Sequence, residues 1–262
     1  MKSITEFGKM KMKKEKISLI TCYDFWSAKI IDDSNIDAVL VGDSSAMVMH
    51  GFETTINAEI DMLCYHVSAV KRGVNNKLII ADLPFLEHRK GMEKLYKSVD
   101  RLMKCGANAI KIEGASGNLE MIKELSQSGI PVMGHLGLTP QSIHQLGGYK
   151  VQGKDDKSSK RIFDDAIQLE SAGCFALVLE MVPAALAKKI TEELSIPTIG
   201  IGAGPDTDGQ VLVLHDMLGL DKNFHPKYVR KYLSGYEEIL AALNHYNTDV
   251  KQQNFPDAEE SN

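Results

Sequence analysis

The sequence predicts a single (β/α)8 barrel, and three observations carry that prediction. Eight short apolar runs recur along the 262 residues, amphipathic stretches separate them, and acids follow four of the runs at equivalent positions. Eight strands with intervening helices in about 250 residues match the size of such a barrel. A doubly wound open sheet is the alternative, because a strand count alone does not show closure.

The runs are ISLIT (17–21), AVLVG (38–42), KLIIA (77–81), NAIKI (108–112), IPVMG (130–134), FALVL (175–179), IPTIG (196–200) and QVLVL (210–214). They are rich in β-branched residues and do not alternate with polar ones, which is how parallel strands buried on both faces read. Before the first run lies a lysine-rich stretch, Lys9 to Lys16, read as a solvated edge because no aromatic residues interleave with it. Leu63, Val67 and Val70 then fall at helical spacing, as do Leu95, Val99 and Leu102 before Cys105-Gly106. Phe163, Ala166 and Leu169 repeat the pattern ahead of a Gly173 stop. His215-Asp216, at the end of the eighth run, reads as structural, since adjacent strand residues point apart. From Tyr246 the chain is polar without helical periodicity, and a mobile tail is expected from about residue 247. No linker interrupts the rest, so residues 1–262 read as one domain.

Hydrophobic residues at 44% and charged residues at 25% exclude disorder for the bulk of the chain. A net charge of −5 gives no general attraction for phosphate backbones, so nucleic acid is not an expected partner. No run of about 18 apolar residues offers a membrane span, and the start of the chain has no signal-peptide core. Cys22, Cys64, Cys105 and Cys174 form no C-x-x-C pair, which suits reduced thiols in a cytoplasmic protein.

Barrel chemistry gathers where strands end. Asp43, Asp82, Glu113 and Glu180 each follow or close such a run. Lys111 lies two residues before Glu113 and therefore shares its face. Any one of these acids alone reads as a helix cap or loop charge, but four at equivalent positions weaken that reading. Clustered carboxylates repel unless a counter-charge is present, and a divalent cation with Lys111 would supply one. Oxygen ligands suit Mg²⁺ better than zinc, which favours His and Cys. His135 is either a hydrogen-bonded wall residue or a further ligand. The chemistry such a rim suits is a Mg²⁺-stabilised enolate of a 2-oxo acid, with one carboxylate off the metal as general base. Glu180, farthest along the chain from the other three, takes that role.

The strings TCYDFWSAKI, LVGDSSAMVMHG, ADLPF, IKIEG, GHLGLTPQSIHQLGGYKVQG, LVLEMVP and IPTIGIGAGPDTDGQVLVLHDMLGL, in that order, resemble the 3-methyl-2-oxobutanoate hydroxymethyltransferase family. The resemblance runs from about Phe7 to about Pro256. It implies a Mg²⁺-dependent barrel, usually a homodecamer, that takes a one-carbon unit from 5,10-methylenetetrahydrofolate to make ketopantoate for pantothenate and coenzyme A synthesis. By the same resemblance Asp43, Asp82 and Glu113 form the metal site. Ser44 and Lys111, with Asp43 and Asp82, contact the 2-oxo acid, and Glu180 is the general base. Ser45-Ala46 and Ile56-Asn57 depart from the family's commoner Leu-Gly and Leu-Pro, in the segment after the second strand.

Two other readings compete. A lyase of the isocitrate-lyase type would share barrel, metal and enolate, but its usual K-K-C-G-H loop is missing from this sequence. A catalytically silent scaffold would not need all five matched charged residues. Gly200 to Gly204 could cradle a phosphate, but the substrate that the resemblance implies has none, so the loop reads as tight backbone near the mouth; it also lacks the dinucleotide spacing. Met47 and Met49 read as filling under a lid loop.

Overall fold

A computed structural model describes residues 3–261 of the chain. In chain order, α1 (Ile4–Met12) precedes β1 (Ile17–Thr21), α2 (Phe25–Asp33), β2 (Ala38–Val41), α3 (Ser45–Val48), α4 (Ile60–Gly73) and β3 (Leu78–Asp82). There follow α5 (Met92–Cys105), β4 (Ala109–Glu113), α6 (Leu119–Gln127), β5 (Val132–Gly137), α7 (Ile143–Leu146), α8 (Asp156–Ser171) and β6 (Ala176–Glu180). The chain ends with α9 (Ala184–Glu193), β7 (Thr198–Ile201), β8 (Gly209–Leu212), α10 (Leu214–Met217) and α11 (Gly235–Gln252). The strands close in sequence order, with Ile17 to Ile20 of β1 registered parallel on Gly209 to Leu212 of β8. The barrel is closed, and the open-sheet alternative falls. The contacts divide the chain into two compact units between Val213 and Leu214, the first holding all eight strands.

Alternation along the strands decides what fills the barrel. Leu78 and Ile80 of β3, Ala109 of β4, Met133 of β5 and Val178 of β6 belong to one buried apolar cluster, which also takes in Phe7 of α1. Phe7 is fully buried, with its ring 6.1 Å from that of Phe175 just ahead of β6. The lysine-rich stretch is largely exposed, as a solvated edge would be, while the helix that opens it is anchored through Phe7 and Lys11. Its Lys11 bonds Thr191 O and Asp208 Oδ2 at 2.8 Å each, and the following Lys16 bonds Thr207 O at 2.5 Å.

The outer helices follow the apolar spacing. α4 buries Leu63, Val67 and Val70, while α5 buries Leu95, Val99 and Leu102 and ends on left-handed Gly106. α8 is capped by Asp155, which accepts from Ser158 N, and buries Ile162, Ala166 and Leu169. Phe163 lies off that face, carrying Lys189 Nζ 4.5 Å above its ring. β7 and β8 are joined by residues 202–208 without a helix, and Ile199–Gly209 and Gly200–Gln210 are in parallel register. β8 stops at Leu212, so His215 and Asp216 sit in the helical turn α10 and not on a strand end. α11 continues through Tyr246 to Gln252. It carries Ile239, Leu243, Tyr246 and Val250 at helical spacing, all of them exposed, so the tail expected to lack helical periodicity from Tyr246 is helical as far as Gln252. Among the described residues no helix is long and apolar enough to cross a membrane.

Candidate active site

The same alternation that builds the apolar floor builds the site above it. Two residues beyond Ile80, Ala109, Met133 and Val178 come Asp82, Lys111, His135 and Glu180, with Glu113 a further step along β4. Five titratable side chains from four neighbouring strands thus face the interior at their C-terminal ends. Strand register aligns them: Asp82 with Lys111, Glu113 with His135, and Gly137 with Glu180.

Lys111 Nζ lies 2.7 Å from Asp82 Oδ1 and 3.8 Å from Glu113 Oε1, and all three side chains are about 5% exposed or less. Burial alone would drive the ammonium to give up its proton, but the charges of Asp82, Glu113 and Asp43 outweigh it and hold the pKa well above the usual lysine range. His135 sits between two acids, with Nδ1 3.4 Å from Glu113 Oε1 and Nε2 3.3 Å from Glu180 Oε2. Burial and Lys111 oppose its protonation, yet the two acids push its pKa up to about 9. Glu113 is correspondingly held low: burial raises it, but His135, Lys111 and the Gln141 N–H more than offset that.

Asp43 lies just past β2, the strand next to β3, and is 3% exposed. Its pKa is raised well above the carboxylate range by burial first and then by repulsion from Asp82 and Glu113. Its backbone N–H donates to Asp82 Oδ2 at 3.0 Å. That approach depends on Gly42, where a Cβ would stand 2.8 Å from Ser44 Oγ and 3.4 Å from Asp82 Oδ2. Ser44 Oγ in turn lies 2.7 Å from the hydroxyl of Tyr23, which is 1% exposed and whose pKa burial raises further. The departures Ser45 and Ala46 are fully buried in α3, and Ile56-Asn57 fall in a 3-10 turn over Thr55–Asn57.

All five charged residues singled out in the sequence thus meet in one place, with Ser44 beside them. Two contributors, Gln141 and Tyr23, were not singled out. Gln141 Nε2 donates to Asp43 Oδ2 and Leu83 O at 2.9 Å each, while its N–H donates to Glu113 Oε2 at 3.1 Å. One neutral side chain therefore ties the acid that follows β2 to the acid that closes β4. Tyr23 supports Ser44. His135, read from the sequence as a hydrogen-bonded wall residue or a further ligand, stands in the wall between Glu113 and Glu180 and pairs with both. For Gln141, in a turn after β5, the sequence offers no signal.

The donor set bears on a metal. Asp82 Oδ1 and Glu113 Oε1 are buried without an aligned hydrogen bond, although both face Lys111. Among the described residues no three His, Cys, Asp or Glu side chains form a metal cage. Hard oxygen donors on Asp43, Asp82 and Glu113, gathered around the one ammonium of Lys111 without a closed cage, fit a Mg²⁺ ion that keeps water and substrate among its ligands.

The chain matches the ketopantoate hydroxymethyltransferase family over residues 1–258. It is 55% identical over 261 residues to a 3-methyl-2-oxobutanoate hydroxymethyltransferase of Bdellovibrio bacteriovorus, covering 100% of this chain and 99% of that protein. It is 54% identical over 259 residues to the Legionella pneumophila (strain Lens) protein of the same name, covering 98% and 99%. In fold it is similar to a phosphonopyruvate hydrolase, with a TM-score of 0.64 at 11% identity over 99% of this chain and 93% of that one. A 2,3-dimethylmalate lyase of the PEP mutase/isocitrate lyase superfamily gives 0.61 at 15% identity over 100% and 93%. Sequence relatives of that identity across the full length, around a rim of acids at the ends of adjacent strands, give the family plainly: the chain belongs to the ketopantoate hydroxymethyltransferases.

Proposed function

We propose that the enzyme moves a one-carbon unit from 5,10-methylenetetrahydrofolate to 3-methyl-2-oxobutanoate, giving 2-dehydropantoate for pantothenate and coenzyme A synthesis. The C3–H bond of the oxo acid breaks, and C3 bonds to the methylene carbon of the donor. Water replaces the carrier nitrogen on that carbon, so tetrahydrofolate leaves.

The observation that supports this reading is the contrast between the acids. Asp82 and Glu113 are each about 4% exposed and face Lys111, whereas Glu180 is 14% exposed and is held only from the side, by His135. Asp43, Asp82 and Glu113 would hold Mg²⁺, which supplies positive charge for the electron density that collects on the keto oxygen as C3 loses its proton. Glu180 takes that proton on a carboxylate oxygen, positioned by His135. The Lys111 ammonium and the Ser44 hydroxyl donate to oxygens of the oxo acid, and Tyr23 fixes the Ser44 rotor. Gln141 holds Asp43 in place.

The test is consumption of 3-methyl-2-oxobutanoate with the folate donor and Mg²⁺ supplied together and omitted in turn. Consumption only with both supports the reading. Cleavage of the oxo acid without the donor would make the protein a lyase.

A further inference from the structure

On the reading proposed above, the buried acids and Lys111 would hold the oxo acid deep in the site, and the donor carbon would reach C3 from the side of the strands' C-terminal ends. What stands there is Tyr149, in the segment between α7 and α8. Its hydroxyl lies 3.8 Å from Sδ of Met47 on α3, close behind Asp43 and Ser44. A weak contact thus bridges two walls of the mouth. Partial burial and then the charges of Glu180 and Asp43 raise the Tyr149 pKa, so its hydroxyl feels the proposed base and a proposed metal acid together. Even so, Tyr149 is 53% exposed, which leaves much of the ring open to a ligand.

The loop holds the ring there by backbone means. Gly147 and Gly148 adopt φ of +67° and +110°, and a Cβ at Gly148 would meet nothing within 4 Å. Glycine at 148 therefore serves conformation and not close packing. Beyond Tyr149, the N–H of Gln152 donates to Met181 O at 2.8 Å, tying the loop to the residue that follows Glu180. Met47 is half-buried against this loop, so the side chain that fills under it also presents a polarizable thioether at the mouth.

We infer that Tyr149 and Met47 form the platform on which the flat heteroaromatic ring of the one-carbon donor stacks, a reading that rests on the folate-dependent reaction proposed above. An aromatic ring offers π-stacking and a thioether offers S–aromatic contact, neither of which a small branched oxo acid can use. Tyr149 and Met47 are thus assigned to the donor, and Lys111 and Ser44 to the acceptor.

The test compares full-length wild type with Tyr149→Ala and Tyr149→Phe. Steady-state kinetics should show Tyr149→Ala raising KM for methylenetetrahydrofolate by about 10-fold more than it raises KM for the oxo acid. Tyr149→Phe, which keeps the ring, should recover most of the donor affinity. Equal changes in both KM values, or no change in the donor's, would overturn the platform. Calorimetric binding of tetrahydrofolate without oxo acid separates this from the reaction itself. If the wild type binds tetrahydrofolate and Tyr149→Ala binds it about 10-fold more weakly, the platform holds even where turnover fails. If the wild type does not bind it, or the variant binds equally well, the platform is wrong.

Discussion

Lys111→Met replaces the ammonium facing Asp82 and Glu113 by an apolar chain of similar length. Both acids stay buried, at about 4% exposure, now without the charge 2.7 Å from one and 3.8 Å from the other. Removing one partner of a buried pair costs about 3–5 kcal/mol, because the charge left behind is uncompensated. At about 2–4 °C per kcal/mol for a chain of this size, the melting midpoint should fall by about 6–20 °C at pH 7 without divalent cation. The Lys111 pKa is raised, so its own contribution is complete below the unfolded lysine value of about 10.4 and constant from pH 5 to 9. Any pH dependence of the deficit below pH 7 therefore comes from the carboxylates. Left without the ammonium, they escape the penalty by taking up protons, so the deficit should shrink toward pH 5. Circular-dichroism melts of wild type and variant at the two pH values, with chelator present, read this directly. A fall below about 2 °C at pH 7, or a deficit that grows toward pH 5, would refute Lys111 as the counter-charge. Lys111→Arg should not restore full turnover, since a planar fork does not fit a point-charge site.

Asp43→Asn and Asp82→Asn should each raise the Mg²⁺ concentration for half-maximal activity by about 10-fold or more, and an unchanged requirement would remove that residue from the metal site. The two should differ without metal: the raised Asp43 pKa means that its ionised form opposes folding at pH 7, so Asp43→Asn should melt higher than wild type, while Asp82→Asn, which leaves Lys111 half-paired, should melt lower. His135, pushed up to about 9, contributes stability that is complete below its unfolded value of about 6.5 and lost as pH rises through 9. Metal-free wild type should therefore lose about 3 kcal/mol across that window and His135→Gln much less, and parallel stability profiles would show that His135 is neutral in the fold.

The barrel was legible because strands buried on both faces read as unbroken apolar runs, and all eight runs became strands. The limits lie where burial is partial. Phe163 has the spacing of a buried residue but covers the edge of α8, and the end of α11 was missed because the residues after Tyr246 are polar but for Val250, the last member of a stripe that begins at Ile239. The acids and Lys111 were legible because strand ends are chemically special positions and period-2 alternation fixes their face. Asp43 and Asp82 nonetheless proved buried, at 3% exposure each, and not the surface-loop charges that their flanking positions suggested. Gln141 was invisible because an uncharged side chain acquires its role only when a turn carries it to Asp43 and Glu113. Tyr149 was invisible for a similar reason, since its meaning depends on which wall of the mouth its loop crosses.

The central claim is that Glu180 removes the C3 proton and that this step precedes the donor. The most direct measurement is exchange of the C3 hydrogen of 3-methyl-2-oxobutanoate in D₂O, followed by NMR, with enzyme and Mg²⁺ but no folate. The wild type should exchange it. Glu180→Gln keeps the size of the side chain but accepts no proton, so exchange should fall by roughly 10²–10⁴-fold while the oxo acid still binds. Full exchange in Glu180→Gln, or no exchange in the wild type even with tetrahydrofolate bound, would contradict the assignment.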